Sequence, residues 1–199
     1  MHEIEDLTKL PLTQLEQVVL QRRSNLRVDP DRAVPSEHLE RLCRLACWAP
    51  NHGRTNPWRF AVVTGEARER LGQLAADAAR RDGVNNPTRL AVIARKYLRA
   101  PALLLVGSAG SDDPVVHAEN RDAVAAGIQT LLLVATEMGL ATFWATGAPA
   151  RDLEVRRFAG MADHDQLVGI IYTGWPTGKP PTPVKPDPVI HIPDYSRSA

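Results

Sequence analysis

The segment from Ala118 to Met138 constrains the fold most, because it is the longest helical stretch and its apolar residues nearly surround the helix axis. These apolar residues are Val124, Ile128, Leu131, Leu132, Val134 and Ala135. A helix that is apolar on most sides is usually buried on most sides. We therefore expect this helix to be buried on most of its surface, with Gly139 as the residue that ends it.

The rest of the chain alternates helices and strands. Helices are predicted at about 13–23, 36–49, 66–81, 87–99 and 150–158, and strands at 60–64, 102–106, 143–145 and 167–173. Thr13 and Glu16 form a capping-box pattern, and Ser36 is a candidate N-cap. Since some connections contain two helices, this order predicts a three-layer α+β sandwich rather than a doubly wound sheet.

The composition predicts an ordinary globular protein. The chain has 199 residues, of which 44% are apolar and 24% charged, and we expect a single domain spanning residues 1–199. A net charge of +1 provides no overall field for recruiting nucleic acid or an anionic membrane. No segment resembles a signal peptide or a membrane helix, and Cys43 and Cys47, interpreted as small core residues, fit a reducing compartment. We expect a cytoplasmic protein without nucleic-acid or membrane partners.

Arg22, Arg23 and Ser24 form the first candidate binding stretch, at the end of a predicted helix. A pair of guanidinium groups with a hydroxyl can bind phosphate through charge-assisted hydrogen bonds. The alternative is a solvated basic helix end, which interacts favourably with the helix dipole.

Two further stretches carry groups that can bind a ligand. The loop from Asn51 to Pro57 presents amide, imidazole and guanidinium groups between a helix and a strand. Its alternative interpretation is a turn with a structural or solvated His52. The strand end from Phe143 to Pro149 offers backbone amides to an anion or a carbonyl group. Its alternative is an ordinary strand-to-helix turn with two buried aromatic residues.

Several other chemistries lack their sequence motifs. The chain has no His-Glu-x-x-His, P-loop, Gly-x-Ser-x-Gly or dinucleotide-binding glycine motif. Cys43 and Cys47 have no second pair of cysteines or histidines at ligand spacing. We therefore expect neither a metal site nor a nucleophilic triad.

Taken together, these stretches resemble the FMN-dependent nitroreductase family, and most of all its compact short-chain branch. The matching stretches cover nearly the whole chain and are Arg22–Ser24, Ala49–Phe60, Ala126–Gln129, Gly139–Gly147 and Val168–Pro176. The resemblance implies an α+β, nitroreductase-like three-layer sandwich with a central, mainly antiparallel sheet. It also implies an intertwined homodimer with FMN at the subunit interface, in which the Pro-rich extension 176–199 wraps the partner subunit.

The resemblance assigns the FMN phosphate to a basic cluster. Arg22, Arg23 and Ser24 would hold the phosphate, and Lys179 after the last strand would be a further basic group. This assignment agrees with the charge of the chain, since a nearly neutral protein needs a local basic cluster to bind a dianionic phosphate.

The resemblance assigns the flavin ring to two other stretches. Trp144, Ala145 and Thr146 would line the isoalloxazine ring, while His52 and Asn56 would approach the flavin of the partner subunit. Larger family members carry an acidic Glu-Gly step where Ala145-Thr146 stands here. Position 48 is tryptophan, where short-chain relatives can carry a basic residue.

The implied function is an oxidoreductase with FMN as cofactor and NADH or NADPH as electron donor. Hydride would pass through the flavin to a nitroaromatic, quinone or related acceptor with ping-pong kinetics, and no separate catalytic side chain is required. One alternative is another flavin reaction on this scaffold, such as ene reduction, dehydrogenation, dehalogenation or flavin destruction. A second alternative is a dimer that sequesters FMN without turnover.

Overall fold

A four-stranded antiparallel sheet lies at the middle of the fold. In the computed structural model, which describes residues 11–180, 182, 183 and 185–191, the strands are β1 (Trp58–Thr64), β2 (Ala102–Ser108), β3 (Ala141–Ala145) and β4 (Gln166–Gly174). Their order across the sheet is β1-β2-β4-β3, so β1 and β3 form the two edges. The sequence predicts all four strands, each two residues shorter than the structure has it.

Helices connect the strands. The helices of the described residues are α1 (Gln14–Gln21), α2 (Ser36–Ala46), α3 (Ala67–Arg81), α4 (Pro87–Arg95), α5 (Pro114–Glu137) and α6 (Leu153–Phe158). Short 3₁₀ turns lie at His52–Arg54, Lys96–Leu98 and Ala148–Arg151. The predicted helix at 150–158 is thus divided into a 3₁₀ turn and α6, because Asp152 caps α6 by accepting the Glu154 N–H at 3.0 Å.

The sheet separates two hydrophobic cores, which confirms the predicted three layers. On one face, Leu103 and Leu105 of β2 pack in a core that includes α3 and α6. On the other face, Leu104 and Val106 pack in a core that includes α2 and α5. Because β2 is covered on both faces, it is a continuous apolar run rather than an alternating one.

The first two helices begin differently. Thr13 caps α1 as predicted, since its N–H donates to Glu16 Oε2 at 2.7 Å and its Oγ1 accepts the Glu16 N–H at 3.3 Å. The prediction of Ser36 as an N-cap is wrong. Pro35 holds the extended N-cap conformation (φ −54°, ψ 140°), so Ser36 is the first residue of α2.

The long helix α5 is buried on one side only within a single chain. It begins before the predicted start, because Asp113 caps it by accepting the Val115 N–H at 2.8 Å. The buried side carries residues such as Val124, Ile128 and Leu131, whereas Ala126 and Gln129 are exposed. The prediction of burial on most sides is therefore wrong for the single chain.

The two cysteines differ in environment. Cys43 lies against the core of α2 and α5, and burial raises the pKa of its thiol to about 11. Cys47 is exposed, so its prediction as a core residue is wrong. The reason is that α2 ends at Ala46, one residue before Cys47, rather than continuing to Pro50.

The Pro-rich extension begins against the rest of the chain. Pro176 forms a bridge with Val28, and the Thr177 N–H donates to the Arg27 carbonyl at 3.0 Å. Positions 181, 184 and 192–199 of the predicted extension lie outside the described residues. None of the described helices is both long enough and apolar enough to span a membrane.

Candidate functional site at the β3 edge

The Arg22–Ser24 stretch lies along the outer edge of β3. Ser24 forms a parallel bridge with Thr142, and the Asn25 N–H donates to the Thr142 carbonyl at 2.8 Å. The chain can turn onto this edge because α1 ends at Gln21 and Arg22 adopts an extended conformation (φ −57°, ψ 131°). The structure thus brings the first and third candidate stretches together, although they are more than a hundred residues apart.

The three side chains of this stretch differ in availability. The Nη1 atom of Arg23 donates to the carbonyls of Leu20 and Arg22, so this nitrogen caps the C-terminal end of α1. Among the described residues, the guanidinium of Arg22 and the hydroxyl of Ser24 have no hydrogen-bond or ion-pair partner. Arg22 and Ser24 consequently keep all of their side-chain donors for an anion, whereas Arg23 keeps those of Nε and Nη2.

Lys179 lies on a neighbouring stretch. The chain leaves β4 at Gly174 and runs beside residues 27 and 28, which follow Ser24 closely in the sequence. Lys179 is exposed two residues after Thr177. Its segment and the Arg22–Ser24 segment therefore adjoin the same end of β3.

The predicted ring-lining residues are placed by the pleat of β3. Trp144 packs in the core of α2 and α5, and Ala145 packs against the opposite core, because successive side chains point to opposite faces. Thr146 and Gly147 follow the strand and are exposed. What faces outward from β3 is therefore its backbone edge and the Thr146-Gly147 step, rather than the indole of Trp144.

A glycine on β4 accommodates the Trp144 indole. A Cβ atom at Gly169 would lie 2.1 Å from Nε1 and 2.6 Å from Cδ1 of Trp144, so any larger residue would force the indole to shift. The Trp144 Nε1 atom is itself buried without a hydrogen-bond partner among the described residues. Gly169 lies in the matching stretch Val168–Pro176, but the sequence predicts no role for it, because that role depends on the neighbouring strand.

Hydrogen bonds hold the Asn51–Pro57 loop in one conformation. Asn51 accepts the Asn56 N–H at 2.9 Å and donates to Thr55 Oγ1 at 3.0 Å. Thr55 Oγ1 donates in turn to the buried Asn120 of α5. His52 is exposed, and Asn56 adopts a left-handed conformation (φ 50°).

A single chain does not bring this loop to the β3 edge. The loop precedes β1, and β1 and β3 are opposite edges of the sheet, three strand spacings or about 14 Å apart. His52 and Asn56 therefore do not lie beside Trp144, Ala145 and Thr146 of the same chain.

Two cavities meet at the Thr146-Gly147 step. The smaller, of about 280 Å³, is mainly apolar and is lined by residues such as Ala75, Ala79 and Tyr172. The larger, of about 670 Å³, is basic and is described below. Sequence reasoning missed both cavities, because each is lined by several segments that are distant in the sequence.

Two tyrosines in the smaller cavity remain neutral hydroxyls. The rings of Tyr97 and Tyr172 stack with centroids 6.2 Å apart. Burial raises the pKa of Tyr172 to about 12 and raises the pKa of Tyr97 above its usual range. Neither group carries a charge at neutral pH, and Lys96 is the charged residue of a lining that is otherwise mainly apolar, so this cavity suits an aromatic ligand.

The fold and the β3 edge together define an α+β protein of the nitroreductase type. A nitroreductase-like family protein from Bacillus cereus has a similar structure, with a TM-score of 0.77 and 25% identity over 89% of this chain and 94% of that chain. The sequence model of the nitroreductase family matches residues 19–175. The chain belongs to the nitroreductase family.

Two named proteins are similar to this chain. The Bacillus subtilis protein called "Putative NAD(P)H nitroreductase YfhC" is 29% identical over 164 residues, which are 81% of this chain and 84% of that protein. The FMN-dependent nitroreductase NfnB from Mycobacterium smegmatis, whose structure is of a complex with NADPH, shares the fold. Its TM-score is 0.66 and its identity 21%, over 81% of this chain and 87% of that chain.

Proposed function

We propose that this protein is an FMN-dependent oxidoreductase that takes electrons from NADH or NADPH and reduces nitroaromatic, quinone or related acceptors by ping-pong transfer. The observation that carries this proposal is the bridge between Ser24 and Thr142. It joins the donors of Arg22 and Ser24, which have no partner among the described residues, to one end of the β3 edge. The exposed Thr146-Gly147 step lies at the other end.

The dimensions of the β3 edge suit FMN. The four steps of extended chain from Thr142 to Thr146 span about 13 Å, which is comparable to the length of a whole FMN molecule from its phosphate to its flavin ring. Arg22, Ser24 and Lys179 would hold the dianionic phosphate, with Arg23 ordering the end of α1. The backbone of Trp144, Ala145 and Thr146 would face the ring.

The protein's contribution to the reaction is binding, orientation and electrostatics. Bound FMN supplies the hydride chemistry. The chain holds the phosphate at one end, presents peptide groups to the ring at the other, and offers two cavities beside the ring. The names of YfhC and NfnB, which mention NAD(P)H, FMN and NADPH, support the same assignment.

We propose that the functional unit is a homodimer. His52 and Asn56 are too far from the β3 edge to contact an FMN bound there by the same chain. They can contact FMN if it is the FMN of the partner subunit, as the resemblance implies. Apolar side chains are exposed on α1, where Leu15 is 65% and Val19 46% accessible, and α5 exposes Ala126. These surfaces would be buried between subunits, and the extension 176–199 of each 199-residue domain would cover the partner.

The dimer can be tested by sedimentation. The FMN-loaded protein at micromolar concentration is expected to sediment as a dimer, because each FMN would contact both subunits. The variants His52→Ala and Asn56→Ala are expected to weaken FMN binding without changing the mass of the dimer. A monomer that retains FMN would contradict the shared site.

The electron transfer can be tested with anaerobic absorbance spectra. Purified protein supplemented with FMN is expected to show a bound oxidised flavin band, which NADH or NADPH then bleaches. Addition of a nitroaromatic or a quinone should restore the band, as ping-pong transfer requires. A colourless protein that takes up no added FMN would refute the proposal.

A second outcome of the same spectra separates the alternatives. A bound flavin that neither nicotinamide reduces would indicate another flavin reaction or FMN sequestration.

We also propose a cytoplasmic location, because the free thiols of Cys43 and Cys47 suit a reducing compartment.

A further inference from the structure

The larger cavity, here called the basic cleft, lies at the end of the sheet where β4 begins. It has a volume of about 670 Å³, and its lining includes the first three residues of β4, Gln166, Leu167 and Val168. Its charged and titratable lining comes from four separate segments and consists of His117, Arg121, Arg151, Arg156, His164 and Asp165.

The lining of the basic cleft carries an excess of positive charge. Three of its residues are arginines, which remain charged at any ordinary pH. Its carboxylate, Asp165, is buried and already satisfied, since it accepts the N–H groups of Gly110 at 3.1 Å and Ala162 at 2.9 Å. Asp165 also lies 3.5 Å from Nε of Arg59, which is outside the lining. The positive charge of the cleft is therefore left for a ligand.

The exposed arginines of the cleft have weak partners in the described part of the chain. Arg121 approaches the exposed carboxylate of Asp122 at 3.7 Å, a type of surface pair that contributes little. Arg151 is exposed and forms no ion pair with a described residue. Both guanidinium groups can therefore turn to an anion without losing a strong interaction.

Two buried polar atoms in the lining also lack partners among the described residues. They are Nε of Arg156 and Oε1 of Gln166. The Nη1 atom of Arg156 donates to the carbonyls of Asp163 and Asp165 at 2.8 Å, which fixes the guanidinium in place. Both atoms are closed off from solvent, so Arg156 contributes a fixed positive charge to the wall of the cleft.

The position of the basic cleft identifies which ligand would use it. The cleft shares Thr146 and Gly147 with the proposed ring site, so a molecule that reacts at the flavin ring can extend into it. Resting on the proposed function, we propose that the basic cleft binds the phosphate-bearing half of the nicotinamide donor and makes NADPH the preferred donor. The 2′-phosphate that distinguishes NADPH from NADH is mostly dianionic at neutral pH, and arginine is the side chain best suited to it.

Binding can be measured without any redox chemistry. Calorimetric titration with 2′,5′-ADP and with 5′-AMP compares ligands that differ only by the 2′-phosphate, on the protein with and without FMN. We expect 2′,5′-ADP to bind at least about tenfold more tightly, since a hydrogen bond to a charged group contributes about 1.5–3 kcal/mol and 1.4 kcal/mol is tenfold. Equal affinities for the two nucleotides would overturn the proposal.

Variants locate the effect in the cleft. Arg121→Ser and Arg151→Ser are each expected to reduce the preference for 2′,5′-ADP by about tenfold, whereas Arg89→Ser on α4, outside the cleft, should leave it unchanged. Since Arg121 and Arg151 are exposed, the melting temperatures should stay close to that of the unchanged protein. Unchanged nucleotide preference in both cleft variants would overturn the proposal.

Rates of flavin reduction and of flavin reoxidation, measured separately, show whether the anion bound in the basic cleft is the electron donor or the electron acceptor. Reduced nicotinamide riboside has no phosphate, so Arg151→Ser should slow flavin reduction by NADPH and leave reduction by the riboside unchanged. If the variant instead slows only the reoxidation of the flavin by 4-nitrobenzoate, the cleft binds an acidic acceptor and the proposal is wrong. Failure of every donor to reduce the flavin would refute the proposed function, while the nucleotide titrations would still decide the binding site.

Discussion

Replacing Arg22 with alanine is expected to lower the affinity for FMN by about tenfold or more. A charge-assisted hydrogen bond to phosphate contributes roughly 1.5–3 kcal/mol, and 1.4 kcal/mol corresponds to tenfold. The loss should appear in binding alone, because the Arg22 guanidinium has no partner among the described residues. A fluorescence titration of FMN against the apoprotein measures the affinity, and thermal melting without FMN measures the stability.

Matched variants give this prediction its controls. Arg41→Ala removes an exposed arginine from α2, away from the β3 edge, and should leave FMN affinity unchanged. Arg23→Ala should lower the stability of the apoprotein as well, because its Nη1 atom holds the carbonyls at the end of α1. An Arg22→Ala protein that binds FMN normally would remove Arg22 from the phosphate site.

Replacing Gly169 with alanine is expected to destabilise the protein by about 1–3 kcal/mol, the usual cost of overpacking a core. The added Cβ would lie 2.1 Å from Trp144 Nε1, and β4 is paired on both sides, so the backbone has little room to move. The indole must therefore move, and the adjoining β3 edge would be disturbed with it. Thermal melting is expected to show a decrease of several degrees, with a change in tryptophan fluorescence.

A rescue experiment assigns the effect to the contact between Gly169 and Trp144. In the double variant Gly169→Ala with Trp144→Leu, the smaller side chain removes the clash, so the two stability losses should be less than additive. Gly178→Ala is the glycine control, because no described residue lies within 4 Å of the methyl group it would add. Strict additivity would show that the clash with Trp144 is not the cause.

Local patterns predict much of this fold. The capping box of Thr13 and Glu16 depends on residues three apart, and the structure has it as predicted. The apolar run in β2 is buried on both faces, which is the reason it lacks alternation. Helix ends are predicted less accurately where two adjacent residues can both take the N-cap position. At the start of α2, Pro35 takes this position and Ser36 does not.

The candidate site was predictable only in part. The Arg22–Ser24 stretch and the β3 end are visible in the sequence because phosphate binding requires unusual local chemistry. The basic cleft is not, because Arg121, Arg151 and Arg156 come from three different elements. No short window of sequence contains more than a part of it.

The sequence by itself determined the helices, the strands, their three-layer arrangement and the residue types that can bind a phosphate, because these depend on periodicity and on side-chain chemistry. Only the tertiary structure decided that Ser24 lies beside Thr142, that Gly169 makes room for Trp144, and that the loop of His52 leads into the edge strand opposite β3. The physical reason is that these relationships arise from strand order and register, which bring together residues that no local pattern connects.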